Sequence, residues 1–563
     1  MKAVINNVRL RDERAVRSEI GKGTKHGDGS VVLRLGTAVL LFGVSLSAVA
    51  QVDLRESTYK AMLNVRQEVP TTQKEDKDGI MSDAYWKRWD KKVQKKIDAD
   101  IEKNRKADAV VDIPDAKPGT TVKIRQVTSD FWYGSHIFNY NQLGSHEANE
   151  KYKSLFGNLF NSATVAFYWK NWETEKGRQR FREETWDTEE WWNKQEDPYQ
   201  YVHWRRPASD PVVEFLRERK LRMQGHPLVW GNRKWQMPMW TTEGMLTPEE
   251  RKTYEGLVSV SPYFKDYTKD ITQFKKEYQD MSVEQLEEAF PQLAENYQKY
   301  FDRHIRDIAE YYGDKVESWD VVNESAQDYK SGALQSSKKL CKSAYGIMPG
   351  DYTCNSFKTA DAAFPKSVKL NINDWLIEKS YVDQTSDLLK RGCRIDLLGM
   401  QMHLFNPKQC ADIADGAAIE TPESEWGKLS TLSQAGLPIH VSEITITAPS
   451  DDEKGRKIQA IIARNLYRLW FSSASVVGIT WWNVVDNCGA KGEPSTSGLF
   501  TRDMQPKMVF FALDRLINHE WRTNTEAKPD KDGKLRFRGF RGSYELTYTD
   551  NAGNVKTLLY HVK

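Results

Sequence analysis

Two glutamates carry the first hint of chemistry. Glu324 closes the segment Trp319-Asp320-Val321-Val322-Asn323-Glu324, and Glu443 closes Ile439-His440-Val441-Ser442-Glu443. Each follows a short apolar run, at the point where a strand would end and a loop begin. Breaking a glycosidic bond needs two carboxyl groups facing each other across the sugar, one protonated and one ionised. Other residues hold equivalent places: His226 and Trp230 in Gly225-His226-Pro227-Leu228-Val229-Trp230, Asn323 beside Glu324, and Trp482 in Thr480-Trp481-Trp482. Gln401 and His403 stand two residues apart, hence on one face of a strand. A lone glutamate at a strand end is more often a solvated group, and a lone buried histidine a core group. The convergence of both with amides and indole rings is what points to acid–base work.

Stepping from these residues to their supports, short apolar runs recur beyond Thr128, each followed by a segment of helical periodicity. The runs are 131–138, 162–168, 221–225, 316–321, 368–372, 396–401, 439–442 and 477–482. Helices are expected over 212–219, 293–312, 382–391 and 457–472 between them. Eight strand–helix alternations fit a (β/α)₈ barrel, a TIM barrel of the α/β class, whose chemistry sits at the C-terminal ends of its strands. A doubly wound open sheet is the alternative, disfavoured because no Gly-rich phosphate turn follows an early strand.

The flanks read differently. Residues 1–50 form a leader in which Arg34 precedes an apolar run, 35–50, ending Ala48-Val49-Ala50. That run is short for a bilayer span and resembles a secretory signal with cleavage near Ala50, so a secreted or periplasmic location is expected. A membrane anchor is the other reading. The acids Asp12, Glu13 and Glu19 upstream point to a translation start inside the leader. Residues 51–107 are charged with periodic apolar positions, a helical surface wrap. Strands are expected over 108–128, around a Pro118-Gly119 turn, and a β-meander over 520–563. The two sets would pair into one small accessory sheet, leaving 129–519 as the barrel.

Composition narrows the function. Lys and Arg number 82 against 79 Asp and Glu, a formal charge of +3 spread along the chain, so no groove for nucleic acid is indicated. Outside the leader no stretch is long and apolar enough for a membrane span. Tryptophan is abundant, at 19 residues, as core filler or as flat surfaces for sugars. Five cysteines leave at least one unpaired; Cys341 and Cys354 are close enough in sequence to bridge one loop. No metal spacing is present, and no cofactor is called for.

At these residues the chain resembles family 10 glycoside hydrolases, the retaining endo-β-1,4-xylanases. The segment 319–324 matches that family's acid/base signature. The segments 225–230, Asn371-Ile372-Asn373-Asp374, Gly399-Met400-Gln401-Met402-His403, Gly478-Ile479-Thr480-Trp481-Trp482 and a Leu499-to-Lys507 tail follow in the family's order. The resemblance implies that Glu324 is the general acid/base and Glu443 the nucleophile. It implies that Asn323 binds the sugar 2-hydroxyl, that Gln401 and His403 orient the nucleophile, and that His226, Lys170, Trp230 and Trp482 line the sugar sites. A β-linked polysaccharide or oligosaccharide is then the partner, and a monomer is expected.

Three departures stand out. Thr445 replaces an aspartate that partners the strand-six histidine. Ala166 and Phe167 occupy positions where the family reads Glu-Asn, and a second tryptophan after strand eight is missing from 486–490. The loop after strand two instead carries Trp169, Trp172, Trp186, Trp191, Trp192 and Trp204, expected as added stacking surface. Two alternatives follow: a hydrolase of a decorated or different β-linked glycan, and a catalytically dead carbohydrate-binding barrel.

Overall fold

The computed structural model describes residues 55–563 apart from 196–206, 234, 242–243, 259–273 and 491. The leader with its apolar run and Trp204 therefore lie outside the described residues. Among the described residues no helix is long and apolar enough to cross a membrane.

Eight parallel strands close into a barrel: β1 (Trp132–His136), β2 (Ser162–Ala166), β3 (Arg222–His226), β4 (Ser318–Asn323), β5 (Lys369–Asp374), β6 (Leu397–Leu404), β7 (Ile439–Ile446) and β8 (Val476–Trp481). Closure comes from β8 pairing with β1, Gly478 opposite Trp132 through Trp481 opposite Ser135. This is the expected TIM barrel, and it excludes the open sheet. Strands β6 and β7 run several residues past their expected ends. All eight residues of β7 and all six of β4 are buried, as parallel strands covered on both faces must be.

The intervening helices follow local rules. Helix Pro291–Tyr312 starts on a proline whose missing N–H has no intrahelical partner to lose. Helix Glu453–Ser472 is capped by Asp452, whose carboxylate accepts from Gly455 N at 2.7 Å. Strand alternation then aims the site. Gly225 lies opposite Trp319 in the β3–β4 ladder, and a Cβ on Gly225 would meet the Trp319 ring at 2.2 Å. The indole thus covers the outer face of the sheet, leaving His226 and Asp320, one residue on, directed inward.

Outside the barrel, helix Lys91–Arg105 lies along helix Glu453–Ser472. Asn104 donates to Ser472 O at 2.8 Å, and Arg105 donates to the Val476 carbonyl at 2.8 Å with its guanidinium over the Phe131 ring. The accessory strands divide rather than forming one sheet. Lys106–Asp112 pairs only with Lys534–Phe540, while Asn524–Ala527, Val122–Gln126, Gly542–Thr549 and Val555–Val562 form a four-stranded sheet. The two strands flanking Pro118-Gly119 therefore pair with C-terminal partners and not with each other. The corner is Gly542, at φ 145°, where a Cβ would stand 2.1 Å from the Thr128 carbonyl oxygen; only glycine lets the chain turn so tightly there. Both sheets share one apolar cluster around Val122, Leu535, Tyr544 and Leu546.

The cysteine pairing expected from sequence is corrected. Cys341 sits in strand Leu340–Ser343 opposite Met348, and all five cysteines are free. The sulfur beside Cys354 is that of Cys393.

Candidate active site

A cleft of about 590 Å³ opens at the C-terminal ends of the barrel strands. Glu324, Glu443, Asn323, His226, Gln401, His403, Trp230 and Trp482 all line it. Lys170 does not. It lies in the one-turn helix Trp169–Trp172, where its neighbour Asn171 faces the cleft.

Glu324 is the first residue after β4, and it turns the chain with a positive φ of 55°. A non-glycine residue in that region costs roughly 1–3 kcal/mol and is held by its surroundings. Here its N–H donates to Asn373 O at 2.8 Å, and Asp374 accepts from Ala326 N at 2.8 Å just beyond the turn. The Glu324 carboxyl takes hydrogen bonds from Tyr345 Oη at 2.9 Å and Gln401 Nε2 at 3.3 Å. Burial, then the charges of Glu443 and Asp374, push its pKa up to about 7, outweighing those two bonds.

Glu443 is aimed by an irregularity in the ladder. The register between β6 and β7 shifts after Met400, so that Gln401 faces Glu443 and His403 faces Thr445. In a regular strand Ser442 and Glu443 would point to opposite faces. The bulge lets both reach Asn373: Ser442 Oγ donates to Asn373 Oδ1 at 2.6 Å, and Asn373 Nδ2 donates to Glu443 Oε1 at 2.8 Å. Asn373 Nδ2 also donates to Asn323 Oδ1 at 2.8 Å. Gly399 makes room, since a Cβ there would meet Asn373 Oδ1 at 2.1 Å.

Two imidazoles flank Glu443. His226 Nδ1 donates to the Asp320 carboxylate at 2.8 Å, and its Nε2 stands 3.8 Å from Glu443 Oε1. Burial lowers the His226 pKa, but the Asp320 hydrogen bond and the charges of Glu443, Asp320 and Glu324 outweigh it and leave it raised. His403 Nε2 lies 3.3 Å from Glu443 Oε2, and its Nδ1 lies 2.9 Å from Thr445 Oγ1. A carboxylate only accepts, so Nε2 carries a proton, while the threonine hydroxyl both donates and accepts and pairs with Nδ1 in either of its states. Thr445 thus gives Nδ1 an uncharged partner, where an aspartate would require Nδ1 to donate.

Aromatic rings form the walls. Phe138, Tyr168, Trp230 and Trp482 make one cluster. On the rim, Trp375 after β5 is 52% exposed, and Phe405 after β6 is 37% exposed and stacks on His403 at 4.3 Å. None of the described tryptophans of the strand-two loop lines the cleft. Trp169 is wholly buried, stacked on His304 at 4.2 Å with its N–H on Glu173, and Trp172 packs on Phe181. Glu173 is buried against Arg303 at 2.8 Å. Trp169, Trp172 and Trp192 are buried inside the loop, which corrects the expectation of stacking surface for those three, whereas Trp186 is 37% exposed. Phe167 likewise turns away from the cleft, packed on Trp319 at 4.6 Å.

Sequence reasoning missed several participants. Asn373 and Asp374 belong to a segment that resembles the family, but nothing in the sequence marks their roles. Tyr345 had no signal at all; it is presented by the turn between strands Leu340–Ser343 and Gly346–Pro349, whose Ser343 Oγ and Ala344 N both bond Asp328 at 2.6 Å. Among the described residues no cluster of His, Cys, Asp or Glu could hold a metal.

The chain resembles proteins already known. It is 26% identical over 302 residues to an endo-1,4-beta-xylanase A of Halalkalibacterium halodurans, across 50% of this chain and 63% of that one. It is 26% identical over 319 residues to an endo-1,4-beta-xylanase A of Thermoanaerobacterium saccharolyticum, across 54% of this chain and 22% of that one. The chain thus spans less than two thirds of the length of either relative. A solved xylanase 10B of Thermotoga petrophila RKU-1, in complex with xylobiose, aligns at 20% identity with a TM-score of 0.45, covering 69% of this chain and 95% of that one. The family model described as glycosyl hydrolase family 10 matches residues 128–515, and on that match across the whole barrel the chain belongs to glycosyl hydrolase family 10.

Proposed function

We propose that this chain is a retaining glycoside hydrolase of the endo-β-1,4-xylanase type, with Glu324 as general acid/base and Glu443 as nucleophile. One observation carries the reading: a carboxyl with its pKa raised to about 7 shares a cleft with a second carboxyl gripped by an amide and an imidazole. Glu443 attacks the anomeric carbon, the glycosidic C–O bond breaks, and the Glu324 proton passes to the leaving oxygen. Water then attacks the glycosyl ester and gives its proton to Glu324, releasing Glu443. Ester formation removes the Glu443 charge, which favours ionisation of Glu324 for its second task. Asn323 Oδ1 is occupied by Asn373 and Gln401, leaving its Nδ2 as the donor end for a sugar hydroxyl. The relatives bearing the name endo-1,4-beta-xylanase support the substrate class. Export through the 35–50 segment is part of the proposal, since polymeric substrate lies outside the cell.

The test is reducing-sugar release from xylan by wild type, Glu324→Gln and Glu443→Gln, with the anomer of the first product read by NMR. Losses of about 10²–10⁴-fold are expected, with retention; undiminished activity in either variant overturns the assignment. A second reading, action on a decorated or different β-linked glycan, is favoured by Phe167 facing away from the cleft and by Ala490 lining it. A panel of branched and unbranched oligosaccharides separates the two.

A further inference from the structure

Cys354 and Cys393 come from different elements, yet their sulfur atoms lie 3.1 Å apart. Cys354 is in the first turn of helix Tyr352–Ala363, and Cys393 follows helix Lys379–Lys390 in the turn that leads to β6. They are 0% and 4% exposed. A disulfide spans about 2.0 Å between sulfurs, so the pair needs to close by only about 1 Å. The other three cysteines have different surroundings: Cys341 in its hairpin, Cys410 in helix Pro407–Ala414, and Cys488 accepting from Arg502.

We propose that Cys354 and Cys393 form a disulfide that staples the helix after β4 to the segment entering β6. One of the two thiolates attacks a disulfide oxidant, oxidised glutathione or an oxidoreductase, and releases one thiol. The other cysteine then loses its proton and attacks the protein sulfur of the mixed disulfide, releasing the second thiol. Two cysteine thiols are oxidised and one oxidant disulfide is reduced. Because both sulfurs are buried in the fold, the exchange takes place before these elements dock, and the product is shielded from reductant afterwards.

The staple has a structural purpose. Asp351, next to Cys354's helix, pairs with Arg391, and Tyr352 Oη donates to Asp328 at 2.9 Å. Asp328 is the anchor of the hairpin that brings Tyr345 to Glu324. The disulfide therefore fixes the base on which that hairpin stands.

The full chain refolded from denaturant in a glutathione redox buffer, then quenched, denatured, alkylated and peptide-mapped, tests the proposal. Wild type is expected to yield three alkylated cysteines and one crosslinked pair joining 354 to 393, two hydrogens lighter than the reduced chain. Cys354→Ala and Cys393→Ala should each yield four alkylated thiols, and their Tm should be equally lowered and unaffected by reductant. Five alkylated cysteines in wild type, or a link through Cys341, Cys410 or Cys488, overturns it. Mapping of wild type decides the matter even if a variant does not fold.

Discussion

Asn373 donates to Glu443 Oε1 at 2.8 Å from a strand that carries neither carboxyl group. The same amide nitrogen holds Asn323, beside Glu324, at 2.8 Å. One side chain on β5 thereby sets the position of groups at the end of β4 and within β7.

Asn373→Ala should lower kcat by about 10–100-fold, the scale of losing a charge-assisted hydrogen bond and leaving its partners unpaired. Gly399→Ala should reproduce most of that loss without touching either carboxyl, because the new methyl displaces Asn373. Steady-state kinetics on a soluble xylo-oligosaccharide checks both; equal kcat in wild type and Gly399→Ala refutes the coupling.

The pH profile should be governed by Glu324. Its proton is required for the first step, so kcat/KM falls as pH rises through about 7. Tyr345 favours the ionised form by donating to it. Tyr345→Phe should therefore move the alkaline limb upward, while Glu443→Gln should move the Glu324 titration downward, read by carboxyl NMR. The folded pKa lies above the ordinary 4.5, so the associated stability is full below pH 4.5 and is lost as pH rises through 7. Glu324→Gln should accordingly gain stability relative to wild type only on the alkaline side, measured by Tm across pH 5 to 8.

Thr445→Val keeps the shape of the side chain but removes the hydroxyl that pairs with His403 Nδ1. The imidazole then loses the bond that holds its ring beside Glu443. A fall in kcat of about 5–30-fold is expected, from a buried hydrogen bond worth roughly 1–2 kcal/mol, with KM little changed.

Trp375 is the most exposed ring on the cleft rim. Trp375→Ala should raise KM for long oligosaccharides by about fivefold, corresponding to roughly 1 kcal/mol of lost ring contact. Turnover of a short aryl glycoside, which does not reach the rim, should be unaffected.

Much was legible from sequence because it depends on local pattern. The eight barrel strands are short buried runs, and Glu324 and Glu443 announce themselves by closing such runs in the sequence, although β7 continues past Glu443 to Ile446. Strand parity also put Gln401 and His403 on one face. Other features were not legible because they depend on distant partners. Trp169, Trp172 and Trp192 look like a sugar platform in sequence, and only their packing on His304, Phe181 and Trp191 makes them core. The family resemblance singles out Lys170, and only the placement of the one-turn helix shows its neighbour Asn171 lining the cleft instead.

Sequence alone therefore determined the barrel, the two carboxyl groups and the family, since hydrophobic period and residue type are written along the chain. Tertiary structure decided the rest. A ladder irregularity at Ser442 lets two consecutive side chains reach Asn373, a hairpin inserted after β4 delivers Tyr345, and Thr445 meets His403 across two strands. Protonation follows the same division: a glutamate is acidic by its type, but burial and the neighbouring charges of Glu443 and Asp374 hold the proton on Glu324 near neutral pH.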